Sequence, residues 1–182
     1  MAPPVRTSRQ LWIDTGLDLL ATEGPGAVRV EVLAQRIGVT RGGFYRQFGG
    51  RAELVDAMLD AWEQRSTDDV RRRVEAEGGD AAGKARKAGM LTFAPDLLPI
   101  DLAVREWARR DAKVAARLRR VDNRRMDYLR ELISTLSGDA GDVEARAMLA
   151  FSLVIGDHLI AADRLVGGRA RVLRDATRLI LG

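Results

Sequence analysis

An all-α protein is what this sequence predicts, and three observations carry that reading. Apolar residues recur at three- and four-residue spacing over most of the 182 positions, as amphipathic helices require. No stretch alternates apolar and polar residues in the manner of a half-buried strand. Glycine and proline gather at residues 23–26, 77–83, 137–141 and 167–168, cutting the chain into helix-sized pieces. About nine helices are expected: an N-terminal three-helix domain with a helix-turn-helix, then a C-terminal helical bundle.

The elements follow in order. Residues 7–22 read as a first helix with Leu11, Trp12, Thr15, Leu19 and Leu20 on one face, and the Gly-Pro-Gly run at 24–26 ends it. Leu33, Ala34 and Ile37 give a second helix its apolar edge, and Gly38 supplies the left-handed turn that stops it. Val39 returns to the core, and Thr40 is a good N-cap for a third helix. Phe44 and Phe48 stand four apart and share an inward face. The opposite face carries Arg41, Gly42, Tyr45, Arg46 and, at its edge, Gln47. Cations, donors and little bulk suit entry into a DNA major groove, so the segment is a helix-turn-helix.

Arg51 opens a fourth helix with Leu54, Met58 and Trp62 at helical spacing, running towards Arg73. A modest helix follows at 84–94, and Pro95 and Pro99 bracket a turn. Residues 98–109 read as helical. Asp111 caps a longer segment to about Leu136, with Val114, Leu118, Val121, Met126, Leu129 and Ile133 inward. Residues 143–165 are the most apolar helix, and a last helix carries Val172, Leu173, Ala176, Leu179 and Ile180.

Composition narrows the function. Apolar residues make up 46% of the chain, enough for a core, yet no window has the length and apolarity to span a membrane. The Met1-Ala-Pro-Pro start lacks a secretory apolar run, so a cytoplasmic protein is expected. With no cysteine, disulfides and thiolate metal sites are excluded. One histidine without cysteine makes a poor metal site and leaves a single possible base for a catalytic triad. No enzyme, metal or cofactor is expected. The net charge is only +4, but residues 1–51 hold seven arginines against four acids, an excess of three. That concentrates the positive charge where DNA would bind.

The order Leu33-Ala34, Ile37-Gly38-Val39-Thr40, Gly42, Phe44-Tyr45, Phe48 and Arg51-Ala52-Glu53-Leu54 resembles the N-terminal signature of TetR-type transcriptional regulators, over roughly residues 7–66. Two departures stand out. Arg29 occupies the place of a Thr or Ser that caps the second helix in the family. Gln47 replaces a common aromatic or His, and the pair Gly42-Gly43 is unusual. Each interior glycine costs a helix about 1 kcal/mol relative to alanine, which predicts a recognition helix that DNA helps to order.

The resemblance implies a DNA-binding domain at 6–66 and a ligand-binding and dimerisation domain at 67–182. It implies a phosphate contact for Tyr45, for which a half-buried aromatic is the plain alternative, and one for Arg51, whose alternative is a solvated cation. Thr40 can cap its helix and offer its hydroxyl to a phosphate. Arg41 and Arg46 suit base edges, since Arg pairs bidentately with guanine. Gln47 reads adenine or is a spacer. Gly42 and Gly43 admit close backbone approach or are simply tolerated. In the C-terminal part, Trp62, Met90, Phe93, Trp107 and His158 line an effector cavity or belong to a plain core. His158 is a core or pocket-wall residue, and Arg105 faces an acidic ligand or sits in an ion pair.

These readings together predict a repressor that binds a double-stranded operator as a homodimer and is released by a small apolar or amphipathic effector. The alternatives are a helix-turn-helix regulator with no small ligand, and a helical enzyme or lipid-binding module with a vestigial DNA motif.

Overall fold

The computed structural model describes residues 8–181. Every element among them is helical: α1 (Arg9–Glu23), α2 (Val30–Ile37), α3 (Arg41–Tyr45), α4 (Arg51–Ser66), α5 (Asp68–Glu77), α6 (Ala81–Thr92), α7 (Leu98–Ala108), α8 (Ala112–Ile133), α9 (Ala140–Leu159) and α10 (Arg169–Leu181).

The all-α class holds. The start expected at Thr7, like the domain limit at residue 6, lies outside the described residues. α1 is described from Arg9, after Ser8, whose Oγ accepts the Leu11 N–H at 3.2 Å as an N-cap does. Among the described residues no helix is long and apolar enough to cross a membrane.

Two expected helices are corrected. The fourth does not continue to Arg73. It ends at Ser66, whose hydroxyl donates to the carbonyls of Trp62 and Glu63, and Thr67 leaves helical geometry at φ −127°, ψ −76°. Asp68 and Asp69 then open α5, where acids favour a helix N-terminus. This break makes ten helices among the described residues rather than about nine. The apolar helix expected at 143–165 is α9, Ala140–Leu159. Asp139 caps its start through the Asp142 N–H at 2.8 Å. At its end the Arg169 guanidinium donates to the carbonyls of Asp157 and Ile160, so carbonyls that lose their helical partners are still satisfied.

The helices sort into two compact units, Met1–Ser66 with Pro95–Arg119, and Thr67–Ala94 with Arg120–Gly182. Residues 95–119, counted with the C-terminal part on sequence grounds, group with the N-terminal helices.

In the first unit α1 is the spine, packed against α2, α4 and α7. Its Trp12, Leu17, Leu19 and Leu20 are fully buried together with Leu33, Phe44, Leu54, Met58 and Trp62. Each such side chain contributes about 1.5–3 kcal/mol of burial. Gly16 lets α4 come close, because a Cβ there would lie 2.6 Å from Met58 Sδ. Leu11, expected on the inward face, is instead exposed. It stands one position before Trp12, at the edge of the buried stripe.

The second unit has its own core of Val70, Val74, Ala85, Ala88, Met126, Tyr128, Leu129, Leu132, Ile133, Ala147 and Leu181. Tyr128 Oη donates to Glu75 Oε1 at 2.7 Å, and Lys84 pairs with the other oxygen of that carboxylate. These bonds hold Glu75 below the ordinary glutamate range, with Lys84 the largest cause. Ala147 is the buried residue of α9. Met148, Leu149 and Leu159 of the same helix, and Leu179 of α10, remain exposed.

Candidate nucleic-acid interface

The turn between α2 and α3 is built by one glycine. Gly38 takes φ 77°, ψ 34°, and its N–H and that of Val39 return to carbonyls at the end of α2, closing the helix as a left-handed C-cap does. At the other end of α2, Arg29 gives no side-chain cap, as its type predicts. Thr40 holds the N-cap position of α3 with extended backbone, and its carbonyl accepts the Gly43 N–H at 2.9 Å. Its hydroxyl makes no capping bond, which corrects the expected side-chain cap.

α3 is five residues long. Phe44 anchors it, edge-on to Trp12 at 5.4 Å and stacked on Phe48 at 5.3 Å. Arg41, Gly42, Tyr45 and Arg46 face outward and are exposed, Tyr45 to 61%, while Gln47 is half-buried. Gly43 is buried beside Phe44, so it lies on the inward side and not on the face expected to approach DNA. The helix and the turn after it therefore separate into an aromatic anchor and a basic, sparsely packed outer face.

The charged groups on that face differ in their freedom. Arg41 Nη1 pairs with Glu31 Oε1 at 3.2 Å, both side chains well exposed. A backbone hydrogen bond and then Arg41 hold Glu31 below its ordinary range. Arg46, at the C-cap of α3, is exposed. Arg51 is committed elsewhere: Nε donates to the Val28 carbonyl at 2.5 Å and Nη2 to the Pro25 carbonyl at 2.8 Å. Its guanidinium thus ties the start of α4 to the loop between α1 and α2.

Two residues at this site were missed by sequence reasoning. Arg9 donates from Nη2 to Glu53 Oε1 at 3.0 Å and from Nη1 to the Gln47 carbonyl, with Cζ 4.1 Å from the centre of the Phe48 ring. Glu53 Oε2 accepts the Gly49 N–H at 2.7 Å. The position of Glu53, third in α4, is the available signal, since a glutamate there reaches back to N–H groups before the helix. Nothing in the sequence marks Arg9 as its partner.

The candidate effector residues divide between the units. Trp62 is fully buried, Trp107 is half-buried, and Arg105 Nε donates to the buried Asp101 at 2.8 Å; all three belong to the first unit. Phe93 and His158 come together in the second, ring centres 5.7 Å apart. Phe93 is buried, but His158 is exposed, so it is not a core residue. It stands near the end of α9, where the chain leaves the helix. Met90 is exposed too, on the open side of α6, and belongs to no core. Arg125, which the sequence did not single out, holds its guanidinium 5.5 Å from the Phe93 ring centre.

Known proteins resemble this arrangement. Residues 13–58 match the family described as bacterial regulatory proteins, tetR family. An HTH-type transcriptional regulator of Pseudomonas putida, TtgW, is 33% identical over 58 residues, which are 32% of this chain and 43% of that protein. The chain thus spans less than half the length of this curated relative. Two solved structures share the fold along nearly the whole chain. The TetR family transcriptional regulator PfmR from Thermus thermophilus has a TM-score of 0.68 at 17% identity, with 97% of each chain covered. AibR in complex with isovaleryl coenzyme A and operator DNA has a TM-score of 0.69 at 15% identity, covering 95% of this chain and 97% of that one. The N-terminal helix-turn-helix, residues 13–58, is thus similar to that of the tetR family of bacterial regulatory proteins, and the chain as a whole shares the fold of the solved regulators.

Proposed function

We propose that this chain is a cytoplasmic transcriptional repressor that binds a double-stranded operator as a homodimer and leaves it when a small apolar or amphipathic effector binds. The observation that carries DNA binding is the outer face of α3. Arg41, Tyr45 and Arg46 stand exposed on a helix anchored by Phe44, which suits a major groove. In this reading Tyr45 and Thr40 meet phosphates, Arg41 and Arg46 meet base edges, and Gln47 and Gly42 flank them. Arg51 acts on DNA only indirectly, by holding α4 to the preceding loop.

A helix of five residues reads few base pairs, so two copies on half-sites about one DNA turn apart supply the specificity. The exposed Met148, Leu149 and Leu179 of α9 and α10 favour a partner copy, since exposed apolar side chains on neighbouring helices suit an interface. We assign DNA binding to residues 6–66, and dimerisation and effector binding to 67–182. Phe93 and His158, with Arg125 nearby, are the effector contacts the packing favours. AibR, of similar fold, was solved with both an acyl-coenzyme A and operator DNA.

A second reading, a regulator without a small ligand, draws on the full burial of Trp62 and the pairing of Arg105 with Asp101. Both are committed to the first unit's own packing. Selection from random DNA followed by a gel shift on the enriched duplex tests the main reading. A two-fold symmetric motif, and release of that duplex by a compound that raises the melting temperature, are expected. No enrichment rejects operator binding. An enriched duplex that no stabilising compound releases favours the second reading.

A further inference from the structure

The reading helix has little stability of its own. α3 is five residues long and contains two glycines, and its N-cap hydroxyl makes no capping bond. Phe44 fixes its depth, and how the chain leaves the helix helps to set its angle. Residues 47–49, which follow Tyr45 and Arg46 directly, are tied to both flanking helices by one connected set of bonds. Arg9 of α1 donates to the Gln47 carbonyl and to Glu53 Oε1 (3.0 Å), and lies 4.1 Å from the Phe48 ring centre. Glu53 of α4 closes the set through the Gly49 N–H at 2.7 Å. Both carboxylate oxygens are used, one on each neighbour.

We propose that Arg9 and Glu53 are positioning residues for DNA binding, a strut that fixes the exit of α3 so that Tyr45 and Arg46 meet the duplex at a set angle. The proposal rests on the reading of α3 as the DNA-reading helix. Its physical basis is pre-organisation: contacts held in place before binding cost less ordering when DNA arrives. The sign of the Glu53 effect separates a strut from a surface charge. An acid near a phosphate backbone repels it, so its removal strengthens binding when charge is its whole role. Loss of a strut weakens binding. Arg9 is separable in the same way, because loss of a direct phosphate contact reduces the salt slope by about one.

The test uses the full chain and its Glu53→Ala, Glu53→Gln, Arg9→Ala and Arg9→Lys variants. Affinity for a duplex selected by the wild type is measured over a salt series, and amide exchange of residues 44–50 is followed in the free protein. Glu53→Ala and Arg9→Ala are expected to weaken binding roughly three- to tenfold, the range of one lost hydrogen bond, with an unchanged salt slope. Exchange should quicken at 47–50 while the middle of α1 and α4 stays protected. Glu53→Gln and Arg9→Lys should fall between wild type and alanine. Tighter binding by Glu53→Ala, a smaller salt slope in Arg9→Ala, or unaltered exchange at 47–50 overturns the proposal. A wild type that binds no duplex defeats the DNA reading itself, and exchange alone then decides whether the strut orders these residues.

Discussion

Arg51 shows how much a residue's role depends on what the fold places beside it. On sequence it stands where a phosphate-binding cation is common; in the fold it donates to the Val28 and Pro25 carbonyls. Arg51→Ala is therefore expected to lower unfolding free energy by about 1–2 kcal/mol, as loss of a charged donor does, measured by urea titration. An unchanged midpoint with a reduced salt slope for DNA would return it to a phosphate contact. No pattern in the sequence reveals this bond, because its acceptors are backbone carbonyls 23 and 26 residues away.

Tyr128 gives a second residue-scale prediction. Burial is the largest cause that pushes its hydroxyl well above the ordinary tyrosine value of 10, and its bond to Glu75 adds to this. A group whose folded pKa is raised stabilises the fold below the unfolded value and loses that contribution as pH rises towards the folded one. Stability should fall above about pH 10, and Tyr128→Phe should flatten that alkaline limb. Glu75 is shifted the other way, so its contribution is complete above its ordinary 4.5 and is lost as pH falls below it. An alkaline limb unchanged in the Phe variant would refute the assignment.

At the scale of elements, the helix-turn-helix was legible because its signals are local. Gly38, Val39, Phe44 and Phe48 each fix one feature by type and spacing, and the left-handed φ at Gly38 is as expected. Alanine at this position fits the space, since nothing lies within 4 Å of its Cβ. The strain of a left-handed L-residue remains, so Gly38→Ala should cost about 1–2 kcal/mol, and Gly38→Asn less. Equal stability of all three chains in denaturant would contradict that. The break at Thr67 and the end of α9 were not legible. No glycine or proline stands at either point, and side chains meet the carbonyls there, Ser66 in one case and Arg169 in the other. Gly43 is buried beside the anchor Phe44, and the absence of a side chain left its place on the inward side without a signal in the sequence.

For the whole molecule, the apolar surface of the last two helices is what a single chain leaves unexplained. Leu179 is 85% exposed, whereas Phe151 packs against the second unit's core. Leu179→Asp is thus the cleaner test of assembly, because Phe151→Asp also damages the fold. Light scattering should give a dimer for the wild type at micromolar concentration and a folded monomer for Leu179→Asp, with loss of full-operator binding. A wild-type monomer that still binds the full site would remove the dimer from the account.

The central claim, that the outer face of α3 reads DNA, has one direct measurement. Binding sites are selected from random duplexes with the wild type, Arg46→Ala and Tyr45→Phe, and affinities for the enriched duplex are then compared with those for random DNA. Arg46→Ala should lose preference at one base pair of each half-site, by about 1–3 kcal/mol. Tyr45→Phe should weaken selected and random DNA alike, because phosphates carry no sequence information. The same motif with the same discrimination from all three proteins would contradict the claim.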